Sequence, residues 1–369
     1  EYVDWQDVVK WAQPLYEQAS VVDQSVQQLA DQFLAQSSDR QQQIMLALSF
    51  VQQEIRYLGM EDGMGSHRPR LASETLYRRY GDCKDKTALL LALLKAMGFA
   101  PFPALVNLDQ GQSLPDELPS PYAFDHVIVT LLLDGKRLWL DGTNLNQGTR
   151  LESVGFPYLR YALIVAPDSR ELVSMDSEFR PSHIQINQEI WVEKTANKLR
   201  VESRYSGEQA EQQRSHWRNT TPEYMSRNFS DYYSKIYLDA DPLGLPLLRD
   251  DPERNELTFS EVYSVAGGMQ ALRQYGLDIY ADQIDSYLKS YSDRRRQPLA
   301  LTAPLQIEQQ FLLHFPTKIA ASPYRSTEEN GVYRFAMQVE PIDGRQIRVT
   351  YRYENLKDHV PVTELDLYR

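Results

Sequence analysis

A single cysteine, Cys83, stands among 369 residues. That scarcity excludes an intramolecular disulfide and any zinc site built from several thiolates. Basic side chains are also in short supply: 39 Lys and Arg against 51 Asp and Glu leave a formal net charge of −12. A nucleic-acid binder would carry a basic patch or stripe, and docking on an anionic membrane is disfavoured for the same reason. No stretch approaches the roughly 20 apolar residues of a membrane span; the longest apolar run lies within residues 87–97. The chain opens on Glu1 and shows no signal peptide, which reads as a processed form. What is present is ordinary for a globular protein, 42% hydrophobic and 24% charged. At this length two domains are expected.

The lone thiol lies where a loop becomes a helix. Tyr80-Gly81-Asp82-Cys83-Lys84-Asp85-Lys86-Thr87 runs into ALLLALLKAMG. Asp82 is an N-cap residue type whose carboxylate can accept a hydrogen bond from the first helical turn. Beyond the first turn the residues to Met97 are apolar nearly all round, with Lys95 near the end and Gly98 as the stop. Such a helix is buried in its domain, and its N-terminus favours a thiolate through the macrodipole. Taken alone, a free cysteine is more often a small buried hydrophobe, so its partners decide.

Residues 2–16, 21–35 and 39–58 repeat apolar side chains at helical spacing, with Asp39 as an N-cap and Gly59 as the stop of the third helix. Their stripes are core-facing by default. Residues 59–70 (GMEDGMGSHRPR) form a loop in which His67 reads as exposed. Ser73 is placed to cap a short helix over 74–80, and Gly81 to allow a close or left-handed turn. Residues 103–107 read as a strand and 108–121 as a polar, Pro-rich loop.

Asp134-Gly135 between FDHVIVTLLL and KRLWLD is the two-residue signal of a type I′ hairpin. That turn pairs residues whose numbers sum to 269, setting His126 opposite Thr143 and Ile128 opposite Asp141. His126 and Asp141 then become diagonal neighbours, with Cβ atoms within about 7–8 Å. The turn chemistry therefore predicts a His–Asp pair.

Punctuation near 166–182 marks the domain boundary, giving 1–178 and 179–369. Past it, HIQINQEIWVEKTANKLRVESRYSG alternates with period two about a turn at Ala196-Asn197. A polar helical stretch covers about 207–237, and alternation returns at 257–265, 306–315, 332–340 and 345–354. The fold class is α+β: an α+β core domain followed by a mainly β, sandwich-like domain with a helical insertion. His183, His216, His314 and His359 stand singly and read as structural.

Cys83, His126 and Asp141 together supply a nucleophile, a base and an orienting carboxylate. An imidazole near a helix-terminal thiol can lower its pKa to ~3–7. Backbone N–H groups at the start of the helix, that of Cys83 included, are donors for an oxyanion. This set suits acyl transfer through a thioester. The same three side chains could in principle ligate a metal, but the helix-terminal thiol with its His–Asp pair fits the triad better, and no metal or cofactor is expected.

RRYGDCKDKTALLLALLKAMGF followed by FDHVIVTLLLDGKRLWLDGTN resembles the core of the bacterial transglutaminase-like superfamily, over roughly residues 40–165. The resemblance implies a papain-like fold with Cys83 as nucleophile, His126 as general base and Asp141 as its orienting partner. Residues 181–369 are similar, more loosely, to β-rich domains that accompany this core in many bacterial proteins. Such proteins are commonly exported, which implies a periplasmic or otherwise exported location. Tyr57 is the candidate for a second oxyanion donor, against a plain reading as a core aromatic. The expected function is a cysteine peptidase, amidase or transglutaminase acting on a protein or peptide substrate. The alternative is an inactive binding module whose β domain docks a protein partner. Asp82 reads as a helix cap, and Lys84 with Asp85 as a local salt bridge or packing device rather than chemistry.

Overall fold

A computed structural model describes residues 2–59, 67–109, 111, 113–155, 159–175, 182–237, 239–268, 279–291, 294–302 and 305–368. The chain divides into two units, Glu1–Phe179 and Arg180–Arg369.

In the first unit three aspartates each stand one residue ahead of a helix and accept from its first-turn N–H groups. Asp4 caps α1 (Trp5–Ala19), Asp23 caps α2 (Gln24–Gln36) and Asp39 caps α3 (Arg40–Glu54). The third helix stops at Glu54, short of the expected Gly59. The chain beyond it is taken up by a backbone ladder: β1 (Arg56–Tyr57) pairs in parallel with β2 (Tyr80–Gly81). Between them lies α4 (Ala72–Arg78), which begins before Ser73 and has no side-chain cap; the Ser73 side chain hydrogen-bonds Asp23 instead. The helix α5 (Cys83–Ala96) follows β2 directly. Then come β3 (Phe102–Val106), β4 (His126–Leu133), β5 (Lys136–Leu140), β6 (Tyr161–Ile164) and β7 (Val173–Ser174). They form an antiparallel sheet in the order β5-β4-β3-β6-β7.

Every residue of α5 from Cys83 to Leu94 is buried. Its leucines share one core with Val8 and Val9 of α1, Ile44 and Leu48 of α3, and Val127 and Val129 of β4. The opposite face of the sheet carries a second apolar cluster that includes Val106, Ile128 and Trp139. The helix is thus packed between helices and sheet, and its N-terminus is fixed by what surrounds it.

The second unit holds β8 (Ser182–Val192), β9 (Ala196–Ser206), α6 (Glu208–Trp217), α7 (Pro222–Ile236), β10 (Ala240–Pro242), β11 (Leu247–Asp251) and β12 (Glu256–Ala266). It continues with α8 (Asp282–Tyr287), β13 (Leu299–Ala300), β14 (Leu305–His314), β15 (Tyr324–Glu329), β16 (Tyr333–Asp343), β17 (Gln346–Asn355) and β18 (His359–Val360). The β8–β9 turn lies earlier than expected, since Val192 pairs with Asn197 and Ala196 already belongs to β9.

The expected sandwich is not what these strands make. Nine of them hydrogen-bond edge to edge in one sheet, ordered β10-β12-β9-β8-β14-β17-β16-β15 with β11 on β12. The physical reason is the helical insertion. Along β8 burial alternates residue by residue, so one face is apolar and the other polar. Tyr233 of α7 and Ile284 of α8 pack on the apolar row with Ile184, Val201 and Phe311, and Ala210 of α6 packs with Phe259. Helices cover the face that a second sheet would have covered. Among the described residues no helix is long and apolar enough to cross a membrane.

Candidate active site

The N-terminus of α5 is held by two carboxylates that cap reciprocally. Asp82 accepts from the N–H of Lys84 at 3.0 Å and of Asp85 at 3.2 Å, while Asp85 accepts from the N–H of Asp82 at 3.4 Å. This is a capping box with Asp at both ends. Lys84 and Asp85 do not pair with one another, because neighbours on a helix do not face each other. Lys84 Nζ lies 2.7 Å from Asp82, and Asp85 takes both the backbone N–H and the guanidinium of Arg70, each at 2.8 Å. Arg70 ends the loop whose residues 60–66 lie outside the described set. Gly81 is not left-handed; its requirement is space. A Cβ there would lie 2.5 Å from the Asp85 Cβ.

The Asp82 cap uses the N–H groups of Lys84 and Asp85, so that of Cys83 is the first-turn donor outside the box. Cys83 is 9% exposed. Thr87, one helical turn on, donates to the carbonyl of Val127 at 3.0 Å and ties α5 to β4 beside His126.

Asp134 and Gly135 both adopt positive φ, 50° and 78°, as a type I′ turn demands. The register runs from Val129↔Leu140 to Leu133↔Lys136. The ladder ends there, so the expected pairs of Ile128 with Asp141 and His126 with Thr143 do not form; His126 pairs across its other edge with Val106. Asp141 lies just past β5, where its Oδ1 accepts from the Thr143 N–H at 2.8 Å and the Thr143 hydroxyl at 2.7 Å. That local turn aims Oδ2 at His126 Nε2, 2.9 Å away. The His126 ring also hydrogen-bonds Cys83. The three residues singled out in the sequence therefore meet, His126 in the middle.

Burial pulls the His126 imidazole down, but its hydrogen bonds to Asp141 and Cys83 and the charges of both raise it to about 10. Burial opposes the charge on Asp141, and the His126 hydrogen bond and charge with the two bonds from Thr143 hold the carboxyl below its usual value. The histidine thus keeps its proton through neutral pH.

Three contributors escaped the sequence reading. Gln52 of α3, on a face taken as plain core, donates to the Asp141 carbonyl at 2.8 Å and to Gln147 at 2.6 Å. Lys86 is fully buried, with Nζ on the carbonyls of Ile55 at 2.7 Å and Gln52 at 3.4 Å. Burial lowers it to about 8, against the pull of Asp141. Tyr16 of α1 is 5% exposed; burial, with the charges of Cys83, Asp82 and Asp85, raises its phenol well above the usual value, so it stays a protonated donor. A polar residue inside an amphipathic stripe was the signal available for Gln52. Nothing local marks Tyr16. Tyr57, the sequence candidate for an oxyanion donor, is 46% exposed. His67 is half-buried, set edge-on to Trp11 and Tyr122.

A cavity of about 420 Å³ borders the cap. Its walls include Asp82, Asp85, Arg68, Arg70 and Leu15, and not Cys83, His126 or Asp141.

No protein-family profile matches this chain, and no curated protein matches it. The fold is similar to the crystal structure of a "putative protease" from Parabacteroides distasonis, with a TM-score of 0.58 and 13% identity. The match covers 100% of this chain and 56% of the other. The chain thus spans about half the length of the protein it resembles. At that identity the likeness establishes a shared α+β fold.

Proposed function

We propose that the first unit is a cysteine hydrolase with a papain-like, transglutaminase-like core that cleaves peptide or amide bonds through a thioester at Cys83. The observation that carries this reading is His126 bonded on one side to Asp141 and on the other to Cys83 at a buried helix N-terminus. The chemistry follows from that order. The Cys83 sulfur attacks the acyl carbon as a thiolate, with the proton on His126. The oxyanion is met by the Cys83 N–H at the positive end of α5. As the C–N bond breaks, the imidazolium gives its proton to the leaving amine. Water then adds to the thioester, passing a proton to His126, and the acid and the thiolate–imidazolium pair are released. Asp141, itself held by Thr143, keeps the imidazole oriented and its charge compensated. The neighbour's description as a protease is in keeping with this reading.

Alkylation of the lone thiol tests it. The rate is followed by intact mass against pH for wild type and His126→Ala. Fast modification persisting to about pH 5 and lost in the variant supports a thiolate–imidazolium pair. A single rise near pH ~8.5 in both proteins, as for an ordinary thiol, overturns it. Incubation with a Gln-containing protein and a labelled amine then separates the acceptors: covalent amine incorporation without cleavage replaces the hydrolase by a transglutaminase.

A further inference from the structure

Glu261 occupies a position that the pattern of its strand reserves for an apolar residue. Along β12 the buried row reads Leu257, Phe259, Glu261, Tyr263, Val265. Glu261 is 5% exposed, and the side-chain hydrogen bond it makes among the described residues comes from the Tyr263 hydroxyl. Burial pushes its carboxyl up to about 7, against the lowering effect of that bond. A buried carboxyl with no cation beside it is destabilising when charged, so its retention in the row asks for a reason.

Glu261 lines a cavity of about 250 Å³ within the second unit. Tyr205, Trp217, Phe229, Tyr232, Tyr233 and Phe259 line the same cavity. The rings brace one another edge-to-face, Trp217 on Phe229 with centroids 5.1 Å apart and Phe229 on Phe259 at 5.5 Å. Among the described residues no Lys or Arg lines it. The titratable groups around Glu261 are Tyr263 on its own strand, Tyr205 of β9 and Tyr233 of α7, with His216 of α6 and Tyr232 of α7, whose hydroxyl donates to Asp282, elsewhere on the wall. Phenols cannot balance a carboxylate's charge.

An acid surrounded by electron-rich rings has the composition that recognises organic ammonium ions. We infer that this cavity is a binding site for a small organic ammonium ion, its charge balanced by Glu261 and its alkyl groups packed against the rings. The rings supply cation–π attraction, and the carboxylate supplies selectivity over neutral ligands of the same shape.

The probes are choline and its neutral isostere 3,3-dimethylbutan-1-ol, titrated calorimetrically into the full chain. Choline is expected to saturate at millimolar concentration or below, the isostere at least about tenfold more weakly. Glu261→Gln should remove that preference. Titration at pH 6.5 in two buffers of different ionisation enthalpy should show proton release on choline binding in the wild type and none in Glu261→Gln. Should that variant alter the circular dichroism spectrum, Trp217→Phe takes its place: choline weakens severalfold while the isostere is unchanged. Equal binding of choline and isostere, retained preference in Glu261→Gln, or no saturable choline binding at millimolar concentration each overturns the inference.

Discussion

Each unit of this protein buries ionisable groups, and each treats them differently. In the first, His126 is 8% exposed between Asp141, 6% exposed, and Cys83, and its imidazolium has the Asp141 carboxylate in hydrogen-bond contact. In the second, Glu261 is as deeply buried, yet its bond comes from a neutral phenol. Compensation keeps the first group charged, with the histidine raised to about 10. Its absence drives the second toward the neutral acid, at about 7. A compensated charge suits the chemistry proposed for the first unit; an uncompensated one suits the ammonium ion inferred for the second. The same depth of burial thus serves two purposes, and neighbours decide which.

The comparison breaks most visibly at His126. His126→Ala should lower kcat/KM for amide hydrolysis on the order of 10²–10⁴-fold, measured with a peptide amide substrate. Asp141→Asn keeps the shape and removes the charge, so the loss should be smaller and accompanied by a downward move of the alkaline limb of the pH–rate profile. An unmoved alkaline limb would mean that Asp141 does not set the histidine.

Stability against pH sharpens the same contrast. Glu261 is raised from 4.5 to about 7, so the folded state binds the extra proton. Its contribution is full below pH 4.5 and lost as pH rises through 7. Glu261→Gln should therefore match wild type at pH 4.5 and exceed it by about 2–3 kcal/mol at pH 8, read from urea unfolding. His126 is raised from 6.5 to about 10, so its contribution is full below 6.5 and fades as pH passes 10. His126→Gln should be less stable than wild type at pH 6, with the gap closing by pH 10.5. Lys86, lowered to about 8, titrates in the opposite sense in both proteins and cancels in the difference.

The smallest expected effect is at Gly81. Both Gly81→Ala and Gly81→Asn should cost about 1–3 kcal/mol by thermal unfolding and slow Cys83 alkylation, because any Cβ meets the Asp85 side chain. A left-handed requirement would spare Asn. Equal stability of the Asn variant and wild type would show that the cap can shift.

Much of this was legible in the sequence because it is set by local rules. The caps at Asp39 and Asp82, the buried leucine helix and the Asp134-Gly135 turn all act within a few residues, and the turn fixed the β4–β5 register. The hidden parts depend on pairing between distant segments. Where the β4–β5 ladder stops depends on the Asp141–Thr143 turn outcompeting it. The early end of α3 depends on a ladder with residues 80–81. Whether a row of alternating strands is closed by another sheet or by helices cannot be read from period two, which is the same in both. Glu261 stands in the apolar row of that alternation, but the aromatic wall around it comes mostly from β9, α6 and α7, which the strand's own pattern does not show.

The solitary thiol has a further consequence for how this protein ages in an oxidising setting. With one cysteine in 369 residues, a sulfenic acid formed at Cys83 has no second thiol in this sequence with which to condense. Repair then requires a thiol from outside, small enough to reach a side chain that is 9% exposed; without one, further oxidation to the sulfinic acid is irreversible. The pair that would activate the sulfur also exposes it to that fate, so the redox balance of its surroundings sets the working lifetime of the site.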